Sequence, residues 1–168
     1  MTYVARASTL DDCEAIARIY NQGIEDRLAT FETRLRTADD IRQWFGGKYP
    51  VVVVERGGEI LAYASGSTYR PRDCYAGIAE FSVYVAREAR GQGAGRAAMV
   101  ALIAASEAAG FWKLLSRVFV ENEASRLLLR SLGFREVGIY YKHGQLDGVW
   151  RDVVIVERLL GELYDGGT

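Results

Sequence analysis

Residues 85–103 read VAREARGQGAGRAAMVALI, and no other stretch limits the possible folds so strongly. Three glycines, Gly91, Gly93 and Gly95, stand between Arg90 and Arg96, after an alternating segment and before one with helical apolar spacing. The chain must pass here from strand to helix through a loop of unusual backbone freedom. Three readings compete: a bare turn in which glycine relieves strain, a dinucleotide site, or a cradle for another phosphate-bearing ligand. The dinucleotide fingerprint needs G-x-G-x-x-G, but the third glycine falls at 95 rather than 96. A dinucleotide-binding first strand is also normally buried on both faces, whereas the segment before this loop alternates. A P-loop closes on Gly-Lys-Ser/Thr, which is absent. The pattern R-x-x-G-x-G over residues 90–95 fits the third reading. Consecutive amides at a helix N-terminus hold anions, helped by the helix dipole, and Arg90 and Arg96 add charge. The bare turn stays open on spacing alone.

The rest of the chain places this loop in an element order. Residues 3–7 are short and extended. Thr9-Leu10-Asp11-Asp12 has the form of a capping box, followed by Cys13, Ile16, Ala17 and Tyr20 at helical spacing. Gly23 either ends this helix or only bends it, since Ile24 and Leu28 extend the stripe. A second box, Thr37-Ala38-Asp39-Asp40, opens a short helix with Ile41, Trp44 and Phe45 as its apolar side, stopped by Gly46-Gly47. VVVVER (51–56) and EILAYASGSTY (59–69) flank Gly57-Gly58 as a hairpin. Residues 70–74 form a loop. In AGIAEFSVYV (76–85), Ala79, Phe81, Val83 and Val85 share one side, and Glu80, Ser82 and Tyr84 the other. A helix then runs to about Ala109, KLLSRVFV (113–120) is a strand, Asn122 caps a helix through Ser131, and 135–144 with 149–160 make a final strand pair. The order is β-α-α-β-β-β-α-β-α-β-β, an α/β (α+β) pattern.

At 168 residues, 49% hydrophobic and 26% charged, this is one domain over 1–160 with a glycine-rich tail, 161–168, that is expected to fray. The net charge of −1 has no basic stripe, so nucleic acid is not an expected partner. No leader pattern or membrane-length apolar run is read in the chain. Cys13 and Cys74 lack a metal spacing and only one histidine is present, so no metal is expected, and a reduced cytoplasmic setting is the default.

The element order, the loop after FSVYV and the segment NEASRLLLRSLGF together resemble the GNAT N-acetyltransferases over nearly the full chain. Within them, IYNQGIEDRLATFETR (19–34), AEFSVYV (79–85) and KHG with WRDV (142–153) resemble the phosphinothricin N-acetyltransferase branch. YRPRDCYAGIAEFSVYVAREARGQG and GFWKLLSRVFVEN are most similar to the arsinothricin-resistance N-acetyltransferases. The resemblance implies a GNAT fold, a mixed and mostly antiparallel twisted sheet of about seven strands with helices on both faces. It also implies acetyl-CoA as co-substrate and a homodimer. The acceptor it implies is the α-amino group of a small glutamate-like amino acid with a phosphinate or arsinate head. Other small amines such as methionine sulfoximine, and a non-catalytic acetyl-CoA-binding module, are the alternatives.

Amine acetylation requires an amine freed of its proton, a polarised thioester carbonyl and a stabilised leaving thiolate. The resemblance assigns Glu80 as base, on a strand face that points to solvent or to a cleft; a carboxylate in a partly desolvated cleft is tuned toward neutrality. His143, whose side-chain type titrates near neutral pH, is the second candidate. Backbone amides of Val83, Tyr84 and Val85 are expected along the acetyl and pantetheine part. Arg90, Gly91, Gln92, Gly93, Ala94, Gly95 and Arg96 are expected at the diphosphate, with Asn122 contacting the cofactor, capping its helix, or both. Arg70 and Arg72 suit a carboxylate, phosphinate or arsinate, with Phe31, Ser82 and Tyr84 lining the substrate pocket. Many relatives carry a tyrosine before the terminal Gly-Phe as acid toward the thiolate. Leu129 stands there instead, leaving Tyr140 or Tyr141 as stand-ins by sequence proximity alone.

Overall fold

Turn chemistry sets the strand pairing. The computed structural model describes residues 2–166. Gly57 and Gly58 have φ of 61° and 82°, the left-handed pair that a two-residue hairpin turn needs. They join β2 (Val51–Arg56) to β3 (Glu59–Thr68). Asp147-Gly148, at φ 52° and 79°, does the same for β6 (Arg135–Leu146) and β7 (Val149–Leu159). With β1 (Val4–Ala7), β4 (Ile78–Val85) and β5 (Lys113–Phe119) they form a seven-stranded sheet in the order β1-β2-β3-β4-β5-β7-β6. Every neighbouring pair is antiparallel except β4 with β5.

That one parallel pairing is short. Ile78–Glu80 match Lys113–Leu115, and the pairing stops there. β4 stays in register with β3 up to Val85, opposite Ala62, and β5 stays with β7 up to Phe119, opposite Val153. The sheet therefore forks into two arms. At the crotch, the Ser116 hydroxyl donates to the Phe81 carbonyl at 2.8 Å, satisfying an acceptor that a longer β4–β5 ladder would have used.

Helices cover both faces, as expected. α1 (Cys13–Glu25) and α2 (Ala38–Arg42) lie over the Tyr63 and Tyr84 side, where the rings of Tyr20, Trp44, Tyr63 and Tyr84 sit 5.1–6.1 Å apart. α3 (Ala94–Ala108) packs on the opposite face, with Gly95 against Val85, and α4 (Glu123–Ser131) follows β5. The Thr37/Asp40 box is complete: the Asp40 amide donates to Thr37 Oγ1 at 3.2 Å and the Thr37 amide to Asp40 Oδ2 at 2.9 Å. At Thr9 the return half forms, the Thr9 amide donating to Asp12 Oδ2 at 2.8 Å, and the box opens a 3-10 turn that leads into α1.

Of the two readings of Gly23, ending the helix is ruled out: Gly23 stays inside α1, which runs on to Glu25 and stops short of Leu28. The role of this glycine is close approach: a Cβ there would lie 2.7 Å from the Tyr84 ring. The first residues of the tail, expected to fray, make specific contacts. The Gly161 amide donates to Glu107 Oε2 at 2.6 Å, and the Arg158 guanidinium sits 3.5 Å from the Tyr164 ring centre. Residues 167 and 168 of the tail lie outside the described residues.

An alanine in place of glycine in a helix interior normally adds about 1 kcal/mol of stability. At Gly23 the displaced Tyr84 ring reverses the sign, because overpacking costs roughly 1–3 kcal/mol. Gly23→Ala is expected to lower the urea midpoint. Tyr63→Phe is expected to hold or raise it, because among the described residues the fully buried Tyr63 hydroxyl has no hydrogen-bond partner to lose.

Candidate active site

The fork opens three contiguous spaces. A small one of about 60 Å³ at the crotch is lined by Phe81–Tyr84 of β4, Ser116–Phe119 of β5, and Asn122, Ser125 and Leu129 at α4. It shares Ala29, Val83, Tyr84, Asn122 and Ser125 with a groove of about 330 Å³ that runs to the glycine loop. On the other side it shares Phe81, Ser82, Tyr84, Ser116 and Arg117 with a cavity of about 550 Å³. One continuous passage thus runs through the fork where β4 and β5 have parted.

The groove is built by the loop the sequence singled out. Gly91 and Gly93 adopt φ of 76° and 90°, a region that costs an L-residue about 1–2 kcal/mol. They turn the chain into α3, whose first helical bond is Ala97 N–H to Gly93 O at 3.1 Å. The amides ahead of that bond have no intrahelical partner. Val83, Tyr84, Val85, Arg90, Gly91, Gly93, Gly95, Arg96 and Asn122 all line the groove. Gln92 and Ala94 do not; Gln92 is exposed and its carbonyl accepts from the Tyr3 hydroxyl at 2.7 Å, while Ala94 is buried.

The two arginines differ. Arg90 Nη1 donates to Asp26 Oδ2 at 2.7 Å, and Arg87 grips the same carboxylate at 2.8 and 2.9 Å. These bonds hold the Asp26 carboxyl down at about 2. Arg96 is exposed and donates to the neutral Ser131 hydroxyl at 2.8 Å. Asn122 serves two ends at once: its Oδ1 accepts the Ser125 amide at 3.3 Å as helix cap, and its Nδ2 donates to the Leu28 carbonyl at 3.4 Å, tying α4 to the segment after α1.

The large cavity gathers Glu80, His143, Phe31, Ser82 and Tyr84 with Tyr20, Thr30, Glu32 and Arg117. Glu80 does face a cleft, and it is paired: Arg117 Nη2 lies 2.7 Å from its Oε1. His143 reaches this cavity because β6 bulges. The register against β7 shifts between Tyr140 and Gly144, Lys142 takes φ 47°, and its amide donates to Asp152 Oδ1 at 2.7 Å. Such a bulge re-aims a side chain. Phe31 stands edge-on to Phe119 at 5.0 Å. Tyr84 is wedged between Tyr20 and Tyr63, and burial raises its phenol further from ionisation.

Other expected residues lie elsewhere. Arg70 and Arg72 are exposed on the loop before β4 and line none of these spaces; the Arg70 guanidinium sits over the Tyr69 ring at 5.1 Å. The arginine that does line the cavity, Arg117, was missed inside an apparently apolar strand. Its signal was period two: Leu115, Arg117 and Phe119 share a face, and Leu115 pairs with Glu80. Leu129 is buried at the crotch, with no hydroxyl to offer. Tyr140 and Tyr141 are exposed, the Tyr140 ring lying tilted against His143 with centroids 4.9 Å apart, and neither lines the passage. Among the described residues no group of three or more acidic, Cys or His side chains is placed to hold a metal, and no helix is long and apolar enough to cross a membrane.

A forked sheet with a glycine-rich helix start on one side and a carboxylate on the other agrees with the sequence comparison. The profile of the acetyltransferase (GNAT) family matches residues 15–134. The chain belongs to this acetyltransferase family. Relatives of the GNAT chain include a phosphinothricin N-acetyltransferase of Alcaligenes faecalis, 35% identical over 89% of this chain and 79% of that one. An L-methionine sulfoximine/L-methionine sulfone acetyltransferase of Pseudomonas paraeruginosa is 31% identical over 94% of each. The crystal structure of a GNAT phosphinothricin acetyltransferase from Sinorhizobium meliloti in complex with acetyl-CoA superposes with a TM-score of 0.89 at 29% identity, covering 100% of this chain and 98% of that one.

Asp26→Asn tests the arginine clamp on the groove. A carboxyl lowered from 3.8 to about 2 contributes stability that is present above the higher value and lost as pH falls through the lower. The stability difference between wild type and Asp26→Asn is therefore expected to be flat from pH 5 to 7 and to shrink as the pH approaches 2, as read from urea midpoints across that range.

Proposed function

We propose that the protein transfers the acetyl group of acetyl-CoA to the α-amino group of a small glutamate-like amino acid of the phosphinothricin or arsinothricin type, and so detoxifies it. The observation that carries this reading is the passage through the fork, which joins an anion-suited groove to a carboxylate-bearing cavity across Ser82–Tyr84. The groove fits the co-substrate: a Cβ on Gly91 would meet nothing within 4 Å, so a diphosphate has room beside the α3 amides and Arg96. The names of the Alcaligenes and Sinorhizobium relatives support the substrate class.

In this reading Val83–Val85 lie alongside the acetyl and pantetheine part, on an edge of β4 that β5 no longer pairs. The Val83 and Val85 amides, which point away from β3, polarise the carbonyl oxygen as charge builds on it, whereas the Tyr84 amide, expected to join them, faces β3 opposite Tyr63. Glu80 accepts the ammonium proton, with His143 across the same cavity as the second titratable candidate. Leu129 gives the thiolate no proton, so it leaves as the anion and is protonated from solvent. Phe31 and Tyr84 wall the apolar part of the acceptor, and Arg70 and Arg72 meet anionic acceptors at the outer loop rather than inside the cavity.

A second reading, methionine sulfoximine as acceptor, is favoured by the aromatic lining of the cavity and by the absence of Arg70 and Arg72 from it. A cytoplasmic homodimer completes the proposal. The edge strand β6 exposes Val137, Ile139, Tyr140 and Tyr141, a surface suited to a second copy, and sedimentation at micromolar concentration reads the mass.

Thiol release from acetyl-CoA is to be measured with phosphinothricin, its arsinic analogue, methionine sulfoximine, glutamate and spermidine. One of the amino-acid analogues is expected to lead; a preference for spermidine overturns the reading. Glu80→Gln is expected to lower kcat on the order of 10²-fold, and an unchanged kcat across pH removes Glu80 as the base.

A further inference from the structure

The Glu80–Arg117 pair is the least explained contact in the cavity. Both side chains are reachable from solvent, at 24% and 46% exposure, and a pair that open contributes little to stability. Its position is not incidental. Glu80 is itself the last β4 residue in register with β5, opposite Leu115, and Arg117 stands two residues beyond Leu115, just where the strands part. Another carboxylate of the cavity is already accounted for. Glu32 is taken by Arg36 at 3.0 Å. Arg117 is the one guanidinium lining the cavity among the described residues.

We infer that Arg117 seats the α-carboxylate of the acceptor, and that its arrival releases Glu80 to take the proton from the neighbouring α-ammonium. This rests on the reading that the acceptor is an α-amino acid. Such a zwitterion carries its two opposite charges on one carbon. The pair carries the same two charges side by side, 2.7 Å apart. Exchange of partners leaves every charge matched, carboxylate on guanidinium and ammonium on Glu80, and planar guanidinium suits a carboxylate bidentately.

The balance of the step is simple. Glu80 accepts one proton from the ammonium. The freed lone pair forms the C–N bond to the acetyl carbon, and the C–S bond breaks with its electrons leaving on sulfur. The nitrogen then sheds its second proton to solvent, from which the thiolate is protonated. Before an amino acid binds, Glu80 is occupied by Arg117, so an amine without a carboxylate meets a base that is not free. Arg117 therefore acts twice, as specificity residue and as the hold on the base.

The test compares two acceptors that differ only in the α-carboxylate: the best amino acid of the panel and its descarboxy amine. Wild type is expected to favour the amino acid by on the order of 10²-fold in kcat/KM. Arg117→Met is expected to reduce that preference to within a few-fold. The amino acid loses through KM, the amine holds or gains because Glu80 is released, and KM for acetyl-CoA stays unchanged. Arg117→Lys is expected to restore part of the preference. Equal losses for both acceptors in the methionine variant, with an unshifted urea midpoint, overturn the inference, as does an unchanged KM for the amino acid. If wild type releases CoA with the amine but with no amino acid, the acceptor reading fails and this one with it. If wild type prefers the amino acid and the methionine variant keeps that preference, only the role of Arg117 falls.

Discussion

Everything that matters in this protein follows from two strands that stop pairing. β4 and β5 share three register positions and then separate, each still held by its outer neighbour. A parallel pair in the middle of a sheet would normally continue, since unpaired backbone groups are costly when buried. Here the cost is met locally. Ser116 covers the Phe81 carbonyl, and the remaining edge lines a passage rather than a dry core. The gap is what lets the groove at the glycine loop communicate with the cavity that holds Glu80.

The surrounding elements keep the gap open and shaped. Asn122 ties the start of α4 to the Leu28 carbonyl, so the far wall of the passage is anchored to the chain leaving α1. Asp26, one residue past α1, clamps Arg87 and Arg90 on the approach to the glycine loop. The absent side chain of Gly23 lets the Tyr84 ring lie against α1. Helix α1 thus touches the passage through backbone, charge and ring contacts, although it contributes none of the glycines that first drew notice.

Local pattern was legible in the sequence and distance was not. The Gly57-Gly58 hairpin, the alternation of β4, the strand-to-helix loop and the Asn122 cap depend on neighbours a few residues apart, and each stands as read. The fork could not be read, because alternation along KLLSRVF says which face a residue takes and nothing of where a neighbouring strand leaves. For the same reason Arg117 passed as part of a core strand: its partner Glu80 is 37 positions away. The reach of His143 depends on a bulge, a miscount between β6 and β7 that no single strand displays. Arg70 and Arg72 drew attention as a charged pair around a proline. Their loop leaves both exposed and outside the cavity.

The position of Tyr84 has an evolutionary consequence. Its ring or backbone borders the crotch, the groove and the cavity alike, so on the proposed reading a substitution there alters donor and acceptor sides together and is strongly pleiotropic. Phe31 and His143 border only the cavity. On that reading, a change of acceptor has a route through Phe31 that leaves the groove untouched, whereas a change at Tyr84 does not. A lineage of such enzymes can exchange one amino-acid analogue for another without renegotiating its hold on the acetyl donor.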